Sequence, residues 1–265
     1  MSSSLDEWFD GVFCRPVGNR VADLLEPTPI TADAVTFASG ALGVLAGVCF
    51  AGLGWWPLVG GVVLLGVMIL DCVDGELARR RGGGGWRGRI LDGLADLATA
   101  FSIHLGMLIH LVRVDTYVGP HETGAFELFM IALVAGAAMS WNCAVVDDVK
   151  QRLKERSVDQ RWEEFAREVD GPWDRFLYWT LKRYVRWTSQ SAGPGRPGGI
   201  RCFRLAQWVG PTHHHLAIAV AGALTPFWEA SFLVYLLLAI IPANIWLLTV
   251  LAVCREGNGV PLDRR

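Results

Sequence analysis

Asp71-Cys72-Val73-Asp74-Gly75-Glu76-Leu77-Ala78-Arg79, followed after a glycine- and arginine-rich loop by Gly88-Arg89-Ile90-Leu91-Asp92-Gly93-Leu94-Ala95-Asp96, is the stretch on which the reading of this chain turns. It sits where two long apolar runs meet. Four carboxylates at the ends of membrane helices are costly to hold unless they pair, bind cations or face water, so they mark function. On helices, Asp71, Asp74 and Ala78 at i, i+3, i+7 share a face, as do Gly88, Asp92 and Asp96 at i, i+4, i+8. Two adjacent helices would therefore converge four carboxylates on one small volume. Such charges repel strongly at a few ångströms, so they take up protons or gather divalent cations. Oxygen-only ligands favour Mg²⁺ or Mn²⁺ over zinc, and a pair of such ions suits phosphoryl transfer. Gly75, Ala78 and Gly88 leave room for a bulky ligand against the backbone, and Arg79, just off that face, offers a fork-shaped donor to a phosphate.

The surroundings fit a membrane protein. Of 265 residues, 52% are hydrophobic and only 19% charged, too apolar a balance for an ordinary soluble domain. The formal net charge of −2 says little, because the charges are segregated along the chain. Cys14, Cys49, Cys72, Cys143, Cys202 and Cys254 are scattered singly, which argues against a zinc site or a disulfide framework and reads as buried small apolar residues. The acidic start, with Asp6, Glu7 and Asp10 and no early basic region before an apolar run, does not read as a cleavable signal peptide.

The expected fold is an all-α integral membrane protein of six transmembrane helices with an N-terminal amphipathic interfacial helix. Residues 1–32 form the N-terminal juxtamembrane segment. Its apolar Leu5, Trp8, Phe9, Val12 and Phe13, then Val21, Leu24 and Leu25, have helical spacing, with a break expected near Pro16. Residues 33–146 hold spans one to four, at about Ala34–Leu53, Leu58–Arg79, Gly88–Val112 and Phe126–Val146, with the motif at 71–96. Residues 147–202 read as a cytoplasmic interfacial insertion, mixing basic, acidic and aromatic side chains, with a flexible linker at Ser191–Gly199. Residues 203–254 hold spans five (Phe203–Leu224) and six (Ala230–Cys254), and 255–265 are a cytoplasmic tail. Six spans put the arginine-rich loop, the basic insertion and Arg264-Arg265 on one side, which the positive-inside rule assigns to the cytoplasm, so the motif opens there.

The pattern Asp71-x2-Asp74-Gly75-x2-Ala78-Arg79-x8-Gly88-x3-Asp92-x3-Asp96 resembles the signature of the CDP-alcohol phosphotransferase family, also called CDP-alcohol phosphatidyltransferases. Eight fixed positions at about 5% each would match by chance on the order of once in 10¹⁰ placements. The six-span layout is similar to the family as well. The resemblance implies attack of an alcohol hydroxyl on the β-phosphate of a CDP-linked donor with release of CMP. It implies that Asp71, Asp74, Asp92 and Asp96 hold two divalent metals, that Asp96 and Asp92 are catalytic, with Asp96 as the base, and that Gly75, Ala78, Arg79 and Gly88 line the CDP site. Where the family often shows Pro-Asn-x-x-Thr, this chain has Ala32-Asp33-Ala34-Val35-Thr36, so only Thr36 carries over as a CDP contact. The implied partners are a CDP-linked lipid donor, preferably CDP-diacylglycerol, an alcohol acceptor, the lipid bilayer and a second copy in a homodimer.

Other readings of the same residues stay open at this stage. CDP-choline- or CDP-ethanolamine-type transfer to diacylglycerol would use the same motif. A divalent-cation transporter would use the aspartates without nucleotide, and a structural ion network would pair them with nearby arginines. A membrane prenyltransferase would need a second acidic cluster, and Asp147-Asp148 lacks further carboxylates at helical spacing. The arginines of 147–210 are balanced by acids and flanked by spans, which favours anionic lipid over nucleic acid. His213-His214-His215 cannot all face one ion, since successive helical residues point about 100° apart; one of them is a candidate for the acceptor pocket. Arg201 and Arg204 are candidates for an acceptor phosphate, while His104 and His110 read as packing residues.

Overall fold

The computed structural model describes residues 6–82, 86–114, 117–118, 121–122, 124–153, 166, 169, 171–191 and 199–256. The glycine loop 83–85, Trp162 and Phe165 of the insertion, the linker 192–198 and the tail from 257 onward lie outside them. The fold is helical, with a two-residue antiparallel ladder, Tyr117–Val118 against His121–Glu122, in the turn between the third and fourth long helices.

Helix α1, Arg15–Leu25, continues directly from a π-helical turn at Asp10–Cys14, so the break expected near Pro16 is not formed. Proline lacks an N–H and its ring crowds the carbonyl four residues back. The wider π turn just before it accommodates both, and the axis runs on. Helix α2, Ala32–Phe50, starts at Thr31, whose hydroxyl accepts from the Ala34 N–H at 3.1 Å. Helices α3 (Trp56–Arg80), α4 (Trp86–Arg113) and α5 (Ala125–Leu153) follow, then α6 (Pro172–Ser191) in the insertion.

The unbroken fifth helix expected over Phe203–Leu224 is corrected by the structure. Helix α7, Gly199–Ala206, gives way to a 3-10 turn at Gln207–Val209, an extended Gly210, and then α8, Pro211–Leu224. A residue before proline is disfavoured in the helical region, so Pro211 starts a new helix. The last segment is α9 (Ser231–Ile240) and α10 (Pro242–Glu256). At the Pro242 interruption the Asn244 amide donates to the carbonyls of Ala239 (3.1 Å) and Ile240 (2.8 Å).

Five helical segments among the described residues are long and apolar enough to cross a membrane: Ala32–Phe50, Trp56–Arg80, Arg87–Arg113, Ala125–Lys150 and Ser231–Cys254. Helix α8 falls short of that length, yet it runs antiparallel to α3: Gly61 abuts the backbone of Ala219, and Gly222 abuts the Pro57 carbonyl. Phe50, Leu64, Ile103, Met107, Phe232 and Leu236 fill the centre of the bundle. Phe37, Val62, Leu97, Phe101 and Leu248 stand exposed on its outside, as suits a surface solvated by hydrocarbon.

A second apolar cluster at the motif end joins Val145, Val146 and Val149 of α5 to Phe203, Leu247 and Val250. There Cys202 and Cys254 are joined as a disulfide, contrary to the expectation of single buried thiols. Their separation of 52 residues carries no local signal, and only the packing of α10 on α7 brings them together.

Candidate active site

Helix α2 lies between α3 and α4 and sets their separation. Gly40, Gly43 and Gly47 form a stripe on α2, and a β-carbon at these positions would run into Ala95, Thr99 and the backbone of Ser102 respectively. Small residues let helix backbones approach closely. The consequence is that the motif face of α4 is drawn up to α3, and carboxylate oxygens of Asp71, Asp74 and Asp92 all lie within 4.8 Å of one another. Asp74 is buried, Asp92 half-buried and Asp71 open.

Asp96 stands outside that group of three, one helical turn further into the bundle and also open. It nonetheless interacts electrostatically with Asp71, Asp74 and Asp92. The Thr36 hydroxyl, buried on α2, donates to Asp74 Oδ2 at 2.6 Å, with the Ala32 carbonyl more distant at 3.2 Å. Thr36 thus orients a carboxylate of the cluster. An all-oxygen set of three carboxylates this close is suited to a hard divalent cation, which relieves their mutual repulsion.

The other candidates sit around this cluster. Gly75 and Ala78 are half-buried on α3. Gly88, at the start of α4, faces Asp33 of α2, whose Oδ1 would come within 3.3 Å of a β-carbon there. Arg79 is exposed and forked onto Glu76 Oε2, with NH2 at 2.7 Å and Nε at 3.3 Å. That pairing competes with any phosphate for the guanidinium. Arg201 and Arg204 on α7 are exposed.

Several residues that hold the site had no motif to announce them. Arg80 is tied to Asp23 (2.6 Å), Glu26 (2.9 Å) and Glu76 (3.0 Å). Arg81 donates to the carbonyls of Ile30, Thr28, Glu26 and Leu25, which close the α1–α2 turn over the end of α3. Asp10 accepts from Cys72 Sγ at 3.0 Å and from Arg15 Nε at 2.8 Å, and Arg15 also reaches Asp6 at 3.0 Å. Half-burial works against the Arg15 charge, but the hydrogen bond and charge of Asp10, with Asp6 beyond, hold its pKa above the ordinary value.

Glu7, also buried, accepts from the Thr212 N–H at 3.1 Å and faces His213 Nδ1 at 3.1 Å, capping the start of α8. The N-terminal segment therefore clips the motif helix to α8. Arg87, beside Gly88, meets Asp174 of α6 at 3.1 Å. Trp173, Phe176 and Trp179 of α6 face outward, with the Arg183 guanidinium 5.2 Å from the Trp179 ring centroid. His110 is buried with its ring edge-on to Phe232 and its Nδ1 2.7 Å from the Gly52 carbonyl.

A helical membrane bundle with an acidic cluster at the facing ends of two of its helices is the class these observations define. Residues 29–155 match the family model of CDP-alcohol phosphatidyltransferases. The family consists of transferases of substituted phosphate groups, generally metal-dependent, that use a CDP-linked donor and an alcohol acceptor in a membrane. No curated protein matches the chain.

Proposed function

We propose that this protein transfers a substituted phosphate, in the first instance phosphatidyl from CDP-diacylglycerol, to an alcohol acceptor in phospholipid synthesis. The observation that carries the reading is the convergence of Asp71, Asp74 and Asp92 within 4.8 Å inside the region that matches the family. Asp71, Asp74 and Asp92, joined by Asp96, would hold two divalent cations, Mg²⁺ or Mn²⁺. Bound there, the cations neutralise diphosphate charge and stabilise the leaving oxygen.

The chain's own residues do the rest. Thr36 fixes the Asp74 carboxylate. Gly75, Ala78 and Gly88 leave the space for the cytidine diphosphate, and Arg79 turns from Glu76 to the phosphates when the donor binds. The acceptor oxygen forms a bond to the β-phosphorus while the bond from that phosphorus to the bridging oxygen breaks. CMP leaves with that oxygen, and the hydroxyl proton passes to an oxygen of Asp96. A carboxylate is a weak base, so positioning supplies most of the rate.

The antiparallel run of α8 along α3, down to the level of Pro57, supports a sixth crossing made by α8 together with the 3-10 turn before it. The segregation of arginines at the motif end supports a site facing the cytoplasm. The aromatic outer face of α6, like that of the N-terminal helix, suits the membrane interface. A homodimer is part of the same proposal.

Purified protein supplied with CDP-linked donors, an acceptor panel and Mg²⁺ or Mn²⁺ should release CMP. Absence of CMP release with CDP-diacylglycerol, CDP-choline and CDP-ethanolamine alike would refute the transferase reading.

A further inference from the structure

Inward of Asp96 the bundle holds a set of buried polar groups with unmet hydrogen-bonding capacity. Asn142 of α5 is fully buried, and among the described residues neither its Nδ2 nor its Oδ1 has a partner. His214 of α8 places Nδ1 3.2 Å from the Tyr235 hydroxyl and leaves Nε2 unpartnered. His104 of α4 places Nδ1 2.8 Å from the Ala100 carbonyl and likewise leaves Nε2 unpartnered. Leaving such an atom unsatisfied is costly, and within a bilayer no bulk water relieves it.

These groups belong to one ladder. The Tyr235 hydroxyl is 3.7 Å from Met139 Sδ, and Gly136 abuts the His104 ring. Met139 lies midway between Gly136 and Asn142 on α5, so the six residues from His104's level to Asn142 rise about 9 Å. That brings Asn142 to the turn next to Asp96. Cys143, adjacent to Asn142, interacts electrostatically with both Asp96 and Tyr235, which links the ladder to the acidic site.

The chemistry of the ladder is neutral: a carboxamide, imidazoles and a phenol. Among the described residues, no buried side chain is a lysine or an arginine. A phosphorylated or carboxylated ligand would meet no counter-charge there, whereas a hydroxyl, which both donates and accepts, matches the open positions.

We propose that Asn142, His214, Tyr235 and His104 form the acceptor subsite, and that it takes an uncharged hydroxyl-bearing group presented to Asp96. This inference rests on the transferase reading and narrows it to uncharged alcohols. Two sources supply that chemistry, a lipid alcohol entering from the bilayer and a soluble polyol entering from water.

The test measures acceptor KM by CMP release, and CDP binding with Mn²⁺ by calorimetry, for wild type, Asn142→Leu and Tyr235→Phe. The acceptor arms are diacylglycerol with CDP-ethanolamine, inositol or glycerol with CDP-diacylglycerol, and glycerol 3-phosphate with CDP-diacylglycerol. The expected result is turnover with one uncharged arm, an acceptor KM raised about tenfold or more by the substitutions, and an unchanged CDP dissociation constant. Which uncharged arm reacts identifies the source. Turnover confined to glycerol 3-phosphate would overturn the proposal, as would an unchanged acceptor KM in both variants, which leaves the ladder to water. Tyr235→Phe keeps the ring and removes only the hydroxyl, so it decides the matter where Asn142→Leu does not fold. Wild type that binds no CDP would overturn the transferase reading and this inference together, an outcome distinct from CDP binding with the wrong acceptor.

Discussion

The Thr36–Asp74 hydrogen bond shows how one side chain conditions the site. At 2.6 Å it is a charge-assisted contact inside the bundle, and it orients a carboxylate that lies within 4.8 Å of those of Asp71 and Asp92. Thr36→Val keeps the shape and removes the donor. Supporting bonds to metal-binding carboxylates are worth about 10–100-fold in metal affinity, so Mn²⁺ binding should weaken at least about tenfold by calorimetry. Asp92→Asn and Asp96→Asn should each lower CMP release at least about a hundredfold, with Asp92→Asn weakening Mn²⁺ binding more, because Asp92 is in the close group of three. At this scale the spacing of aspartates was legible, since helical periodicity alone puts each pair on one face. The Arg79–Glu76 pair also had a local signal at i, i+3 that the phosphate reading passed over. The grip of Arg81 on four carbonyls had none, because its acceptors belong to the turn some 50 residues earlier.

At the scale of elements, the close approach of α2 to α4 is what turns two acidic helix ends into one cluster. Gly47→Leu would press a side chain into the Ser102 backbone. It should destabilise the bundle by about 1–3 kcal/mol, seen as a lower unfolding temperature in detergent, and weaken Mn²⁺ binding as the carboxylates move apart. Glu7→Ala would strip the cap from α8 and leave the half-buried Thr212 N–H without its partner, a loss of about 1 kcal/mol by the same measurement, with the acidic cluster itself intact. The four long helices α2 to α5 were readable from their apolar runs to within a few residues, apart from α5, which extends seven residues beyond its expected end. What hydropathy could not show is backbone geometry within an apolar run. Pro16 is absorbed by a π turn while Pro211 ends a helix, and the difference lies in the neighbours: Gly210 adopts the extended conformation that Cys14 and Arg15 do not.

For the whole molecule, the charge pattern supports the proposed orientation. With the motif end in the cytoplasm, a cysteine placed at Gly82 should be labelled by an impermeant maleimide only after the cytoplasmic face is opened, and one at Gly54 from outside in intact cells. Cys202 and Cys254, joined in the structure, pack on α5 near the motif end; in the proposed orientation that end meets the reducing cytoplasm, so alkylation in acid-quenched cells should find them as thiols there. Membrane character was legible in composition, whereas the path of α8 was legible only in three dimensions. Above both stands the claim that the Asp71–Asp96 stretch makes a metal-dependent site for a cytidine diphosphate. Calorimetric titration of purified protein with CDP, in Mn²⁺ and again after chelation, tests it. Saturable CDP binding that needs Mn²⁺ and is lost in Asp92→Asn is the expected result; folded wild type that binds Mn²⁺ but no CDP would contradict it.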